Sequence, residues 1–277
     1  MAIFEEAVAV VTGGARGIGK SIAAALVARG AKVAIGDISG DAAEATATDL
    51  GGCARGYACD VTDRKALDGL AGRVQADLGP VTLVFANAGV CISGSLLDTE
   101  PNEFDWLIDV NVRGVFATIQ TFAPLLIASA ADGRRAHLTI TGSENSLGVP
   151  PVGPASAYTM TKHAILGLAD TARRDLAETG VGVSILCPGM VDTQLYNSRN
   201  HRQAAYGGAS SLPPEALEMA KTFMAQGQDS GLTAELCLQG LENREFMIIA
   251  DSAIRDFVTR RHREIETALD TLKSRLG

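Results

Sequence analysis

The sequence offers little from which to build a metal centre, a disulfide framework or a nucleic-acid surface. Its five cysteines (Cys53, Cys59, Cys91, Cys187, Cys237) are odd in number and none is spaced Cys-x-x-Cys. We read them as reduced thiols of a cytoplasmic protein, outside any zinc site or disulfide framework. Four histidines (His137, His163, His201, His262) show no partner spacing for a metal, and no metal is expected. Basic residues number 24 against 32 acidic ones, and the net charge of −8 argues against nucleic acid or an anionic membrane surface as a partner. The start, Met-Ala-Ile-Phe-Glu-Glu, has neither a basic n-region nor a long apolar segment, so no signal peptide is expected. No run reaches the roughly 18 apolar residues of a spanning helix, so no membrane is expected either. Repeats, linkers and low-complexity stretches are missing too, which leaves one domain over residues 1–277.

What is present is alternation. With 277 residues, 47% hydrophobic and 20% charged, the chain suits a soluble globular enzyme with a substantial core. Val8 to Val11 reads as a buried strand stopped by Thr12-Gly13-Gly14, and Ile18 to Ala28 as a helix ended by Gly30. Lys32 to Gly36 is a second strand, closed by Asp37. Strands follow at Gly56–Cys59, Val81–Ala86, Ala136–Thr141, Val181–Leu186 and Phe246–Ala250. Between them lie a helix to Leu78 capped by Thr62 or Asp63, a helical stretch Pro101–Ala130 broken near Gly114 or Pro124, and a helix from Tyr158 to about Thr179. Such a pattern predicts an α/β fold, a doubly wound parallel sheet of the Rossmann type. In that fold ligands sit beyond the carboxyl ends of the strands. Thr12-Gly13, Asp37, Asp60, Asn87, Ser143 and Pro188 all fall just past strand ends and are gathered at that edge.

Chemistry is suggested at three places. The glycines Gly13, Gly17 and Gly19 form a turn between strand and helix, where free N–H groups can face a pyrophosphate. Asp37, 18 residues after Gly19, is placed to bond an adenosine ribose. Tyr158 and Lys162 lie one helical turn apart on one face. An ammonium there is expected to lower the phenol from its ordinary value near 10 towards the range of a general acid–base group. The last third is less regular. A helical substrate lid is expected at about 194–232, with Leu217, Ala220, Phe223 and Met224 as an apolar helix face. An extra C-terminal helix at about 251–276 carries the stripe Ile254, Phe257, Val258, Ile265, Leu269, Leu272 and Leu276, suited to surface or subunit packing.

Across residues 5 to 195 these features resemble the short-chain dehydrogenases/reductases of about 250 residues. Thr12-Gly13-Gly14-Ala15-Arg16-Gly17-Ile18-Gly19 is similar to that family's cofactor motif, Thr-Gly-x-x-x-Gly-x-Gly. Asp60-Val61 resembles its adenine contact and Asn87-Ala88-Gly89 the motif that steadies the central strand. A second asparagine usual before that motif is replaced here by Ala86. Asn111 is similar to the catalytic asparagine, Tyr158-x-x-x-Lys162 is the signature pair, and Pro188-Gly189-Met190-Val191-Asp192-Thr193 resembles the segment beside the nicotinamide and phosphates. The family's serine commonly lies 13 residues before the tyrosine, where this chain has Asn145. Ser143, which immediately follows a strand, is preferred, and Ser146 is the rival.

The resemblance implies NAD as cofactor and hydride transfer between it and a secondary alcohol or ketone. Tyr158 would be the acid–base group and Ser143 would hold the reacting oxygen. Lys162 would tune the tyrosine and hold the nicotinamide ribose, and Asn111 would anchor a proton-relaying water. The pocket candidates Cys91, Ile92, Leu96, Leu147, Val149, Val152 and the lid from Tyr196 to Met224 are mostly apolar with no clustered charge. They favour a hydrophobic, aromatic or alicyclic substrate, and the lid and C-terminal region resemble dehydrogenases of lignin-type aryl alcohols. A homo-oligomer, dimer or tetramer, is implied as well, although the usual Val-Asp-Gly-Gly closing segment is replaced by Leu241 to Ala250. The alternatives are a non-catalytic NAD-sensing protein on the same fold, or an epimerase or dehydratase, which the glycine spacing contradicts. A carboxylate at Asp37 accepts both ribose hydroxyls and repels a 2′-phosphate, with Arg16 partly offsetting the repulsion. Steady-state kinetics with both cofactors should therefore give the higher kcat/KM with NAD; parity or better with NADP overturns the assignment.

Overall fold

A computed structural model of the chain describes residues 3–151 and 155–276. Its centre is a sheet of seven parallel strands: β1 (Val8–Thr12), β2 (Lys32–Asp37), β3 (Ala54–Ala58), β4 (Leu83–Ala86), β5 (Ala136–Thr141), β6 (Val181–Cys187) and β7 (Met247–Ile249). Their spatial order is β3-β2-β1-β4-β5-β6-β7. The order reverses between β1 and β4, which pair in register Ala9 to Leu83 and Val11 to Phe85. A crevice opens at the carboxyl ends of strands that diverge in this way. The doubly wound parallel sheet expected from the sequence is the fold observed.

Both faces are covered, so the inner strands are apolar rather than alternating, while the edge strands β3 and β7 keep exposed positions. Val8 and Val10 of β1 face one side, in a core shared with α3 (Arg64–Asp77), α5 (Val115–Ala131) and α6 (Ser156–Asp175). Ala9 and Val11 face the other, in a core completed by α1 (Gly17–Ala28), α2 (Gly40–Leu50) and α8 (Ser230–Glu242). Asp63 caps α3 by accepting the Lys65 N–H at 2.8 Å, which settles the choice between Thr62 and Asp63. Two helices escaped the sequence reading. The α2 segment is rich in Ala, Thr and acid and has no apolar stripe to read. In α8 the run after Asp229 packs on α1, with Ser230 and Ser21 hydroxyls 2.9 Å apart and Glu235 paired to Arg29. The segment expected as lid therefore gives way to the sheet's outer layer from Ser230 onward.

The long helical stretch is α4 (Pro101–Ile108), a wide π-type turn at Asp109–Gly114, and α5. The irregularity lies at Asp109–Gly114, which ends at one of the two places expected, and Pro124 sits inside α5 without ending it. By length and composition Pro101–Ala131 is apolar enough to cross a membrane, with a mean hydropathy of 1.5. Its buried residues instead pack on the sheet: Trp106, Leu107, Phe122 and Leu126 belong to the core. The irregular segment Leu195–Tyr206 and helix α7 (Pro214–Met224) cover the carboxyl edge, and α9 (Arg255–Leu276) closes the chain. From Arg260 onward α9 is exposed along its length, with its apolar stripe at the surface.

His137 on β5 is a buried titratable group outside the site. It is 4% exposed and its Nε2 lies 2.8 Å from the Ser184 hydroxyl. Burial pulls its pKa down to about 4, and the nearby Arg135 and Arg244 act in the same direction. Between about 4 and 6.5 the unfolded chain binds a proton there that the native state does not, so stability falls as pH drops through that window. The loss should approach about 3 kcal/mol at pH 4 from this residue. Denaturant melts of wild type and His137→Gln across pH 4 to 7 should show a steeper decline for the wild type; parallel curves would exclude His137 as the cause.

Candidate active site

Every residue assigned to the cofactor from sequence lines one cavity of about 1260 Å³ along the carboxyl edge: Gly13, Arg16, Gly17, Ile18, Gly19, Asp37, Asp60, Val61, Asn87, Ala88, Gly89, Tyr158, Lys162, Pro188, Gly189, Val191 and Thr193. Ser143 lines it too. Asn111 and Ser146 do not; they stand behind the wall.

The glycine turn is shaped by crowding. Gly13 has φ +63°, and a Cβ there would meet Ala88 Cα at 2.8 Å. One on Gly19 would overlap the Gly13 carbonyl and lie 2.6 Å from Asn87 Nδ2. Backbone is thereby brought against backbone at the start of α1, leaving an open cradle with N–H groups facing the cavity. This cradle, and a cavity lined from it past Asp37 at one end to Tyr158 at the other, fit a dinucleotide. At its far end Asp37 is 8% exposed, its carboxylate accepting the N–H groups of Ala15 at 3.2 Å and Ser39 at 3.1 Å. Those bonds fix its direction at the tip of β2. Asp60 is fixed similarly, by the Thr62 N–H at 2.9 Å and hydroxyl at 2.7 Å.

At the other end Tyr158 and Lys162 occupy the first two turns of α6, 8% and 5% exposed. The Lys162 ammonium lies 5.6 Å from the Tyr158 ring centre and donates to the Thr141 carbonyl at 2.9 Å. Ser143, two residues past the end of β5, opposes part of the rise in the Tyr158 pKa. That rise corrects the sequence expectation. Burial penalises the phenolate more than any neighbour favours it, so the phenol titrates above its ordinary value. Burial also pulls the Lys162 ammonium down to about 8. Spacing alone cannot reveal desolvation, and it was the missing quantity.

The two serines are separated by their partners. Ser143 Oγ faces the cavity, donating to Asn145 Oδ1 at 3.1 Å and accepting the Asn145 N–H at 3.2 Å. Ser146, 1% exposed, accepts the Ser143 N–H at 3.1 Å and so braces the turn from behind. Asn145, at the position usual for the family's serine, donates to Thr159 at 2.7 Å. The Asn111 amide is fixed by three bonds: its Oδ1 accepts the Val90 N–H, and its Nδ2 donates to the Val90 carbonyl and the Thr161 hydroxyl.

Sequence reasoning misjudged the substrate end. Cys91, Tyr196, Ala220, Phe223 and Met224 do line it, but Ile92, Leu96, Leu147 and Val149 lie off the cavity, and Val152 lies outside the described residues. Missed were Glu144, Asp251, Asp256, Phe257 and Arg260, so charge is clustered there after all. Burial, reinforced by Asp251, raises Glu144 to about 6. Phe257 packs so closely on Gly148 that a Cβ there would meet its ring at 2.8 Å, and Arg260 donates to the Val149 carbonyl at 3.3 Å. The stripe on α9 was legible, but its docking direction was not. Among the described residues no group of three or more His, Cys, Asp and Glu side chains is arranged to hold a metal.

A parallel sheet with a glycine cradle at its reversal point defines a dinucleotide-binding α/β protein. The model of the short chain dehydrogenase family matches residues 7–204, and the chain belongs to that family. It is 29% identical to a C alpha-dehydrogenase from Sphingobium sp. strain SYK-6 over 98% of this chain and 89% of that protein. Against a sorbitol dehydrogenase from Cereibacter sphaeroides it is 31% identical over 72% and 75% of the two chains. A short chain dehydrogenase/reductase from Burkholderia phymatum, solved in complex with NAD, superimposes with a TM-score of 0.86 at 29% identity, covering 97% of each chain.

The separate positions of the serines make them distinguishable. Ser143→Ala should lower kcat by about 10²-fold, with about 1 kcal/mol of stability lost as well because its hydroxyl also bonds Asn145. Ser146→Ala should chiefly cost stability, about 1 kcal/mol, through the lost turn bond. The reverse pattern would exchange their roles.

Proposed function

We propose that the protein is an NAD-dependent oxidoreductase that interconverts a secondary alcohol and the matching ketone, with Tyr158 as general acid and base. The observation that carries this reading is the meeting of Tyr158, Ser143 and Lys162 in the same cavity as the glycine cradle and Asp37. Asp37, with both oxygens aimed by backbone N–H groups, favours the unphosphorylated ribose of NAD, and the NAD-bound Burkholderia relative supports that choice.

A bound nicotinamide supplies the hydride acceptor or donor and, when oxidised, a positive charge. All other work falls to this chain. In ketone reduction Tyr158 gives its proton to the carbonyl oxygen while the Ser143 hydroxyl holds that oxygen. The raised pKa keeps the phenol protonated and ready for that direction at neutral pH. In oxidation the tyrosine must act as its phenolate, and Lys162, the nearest cation, stabilises it and replenishes the proton balance. With its pKa near 8, Lys162 exchanges a proton readily around neutrality. Asn111 clamps the Gly89–Val90 turn to α6 through Thr161 and so sets the spacing between strand edge and reactive pair.

For the substrate we propose a hydrophobic body, aromatic or alicyclic, seated against Phe223, Met224 and Phe257, with polar substituents reaching Glu144, Asp251 or Arg260. Exposed Phe104, Phe116 and Met160 on the outer face of α4–α6 support a homo-oligomer, and the five unpaired thiols suit the cytoplasm. A panel of secondary alcohols read by NADH absorbance tests the reaction. Tyr158→Phe should then lower kcat by about 10³-fold or more and leave the Kd for NAD within about twofold. Near-normal turnover by this variant would remove Tyr158 from the mechanism.

A further inference from the structure

The segment Leu195–Tyr206 falls within the lid expected at about 194–232. In the fold it is a strap tied along its whole length. Ser198 accepts the Cys91 N–H at 3.1 Å. Arg199 and Arg202 both pair with Glu103 of α4, at 2.6 and 3.0 Å. Tyr206 donates to Asp109 at 2.6 Å. Its near end, Leu195 to Ser198, lines the cavity beside the reactive pair, and its far end, His201 and Gln203, lines it beside Asp37 and Asp60. His201 Nε2 lies 3.2 Å from Arg16 Nη1 of the glycine turn.

Gln203 is the informative contact. The indole of Trp106, 1% exposed, has only a donor, and it points at Gln203 Oε1 from 2.9 Å. That bond fixes which way the amide faces. The NH2 group is left to point at Asp60, and Nε2 donates to Asp60 Oδ2 at 2.8 Å. Oδ1 of Asp60 already takes both Thr62 donors. The carboxylate is therefore held at both oxygens, in one orientation, with lone-pair capacity left on Oδ2 for one further donor at the cavity wall. A purine amine is a donor of the right kind.

We propose that Gln203 is a cofactor-positioning residue, which aims the Asp60 carboxylate at the adenine amine and so makes the substrate-side strap part of the adenine subsite. This rests on the dinucleotide reading of the cavity. Gln203 does not touch the reacting atoms; it acts through Asp60. One continuous segment thus borders the substrate at Leu195 and sets the adenine acceptor at Gln203.

Calorimetric titration of AMP, nicotinamide mononucleotide and NAD into the full chain tests this, with Gln203→Glu and Gln203→Leu beside the wild type. Glutamate keeps the acceptor for Trp106 but sets a second carboxylate against Asp60; leucine removes both bonds. AMP and NAD should bind about tenfold or more weakly to Gln203→Glu and several-fold more weakly to Gln203→Leu. The mononucleotide, which lacks adenine, should keep its wild-type affinity, showing in the same sample that the pocket is folded. Emission from Trp106, the chain's one tryptophan, should shift in the leucine variant. Wild-type affinity for AMP in both variants, or an equal loss of AMP and mononucleotide binding, would overturn the proposal. A wild type that binds none of the three would instead overturn the dinucleotide reading, and this inference with it.

Discussion

The side chain of Asn87 holds the two halves of the site in register. Its Nδ2 donates to the carbonyls of Thr12 at 3.0 Å and Gly13 at 3.1 Å, at the end of β1. Its Oδ1 accepts the Thr141 hydroxyl at 3.1 Å, at the end of β5. The Thr141 carbonyl in turn accepts Lys162. A chain of hydrogen bonds thus runs from the glycine turn to Lys162 across β1, β4 and β5. Parallel strands leave unpaired backbone groups at their carboxyl ends, and in a half-buried crevice each must be satisfied. Asn87 satisfies two of them and ties in the Thr141 hydroxyl as well, so the glycine turn and the place where Tyr158 and Lys162 stand cannot drift independently.

Close packing enforces the same registration. Gly13 against Ala88, and Gly19 against Gly13 and Asn87, leave no room for even a methyl group. Any side chain there would separate β1 from β4 and break the Asn87 bonds. The glycines thus serve the sheet as well as the ligand. The desolvation that raises Tyr158 and lowers Lys162 follows from the same tightness, because the crevice admits the pair only by removing water from both.

The sequence made the inner strands legible because a sheet covered on both faces needs continuous apolar runs there, and glycine, asparagine, aspartate or proline ends them. It made the cofactor edge legible because those terminators all fall at one end of a parallel sheet. What stayed hidden depended on packing between segments far apart in the chain. Helix α2 has too little apolar surface to announce itself. Glu144 and Arg260 are ordinary charged residues until α9 docks on the loop after β5. Ser143 and Ser146 differ only in which hydroxyl faces the cavity, and the acidity of Tyr158 is a matter of lost solvent, which spacing does not encode. Gln203 is silent for the same reason: it matters because Trp106 and Asp60, 97 and 143 residues away, converge on it.

The position of α9 has an implication for which parts of the cavity can vary. Residues 7–204 match the family model, and the glycine cradle, Tyr158 and Lys162 all fall within them. Phe257 and Arg260, which dock α9 on the loop after β5 and line the cavity there, fall outside that span. They touch neither the glycine turn nor the Asn87 bonds that hold the strand ends together. Substitutions on this face of α9 can therefore reshape one wall of the cavity while the strand edge opposite keeps its geometry.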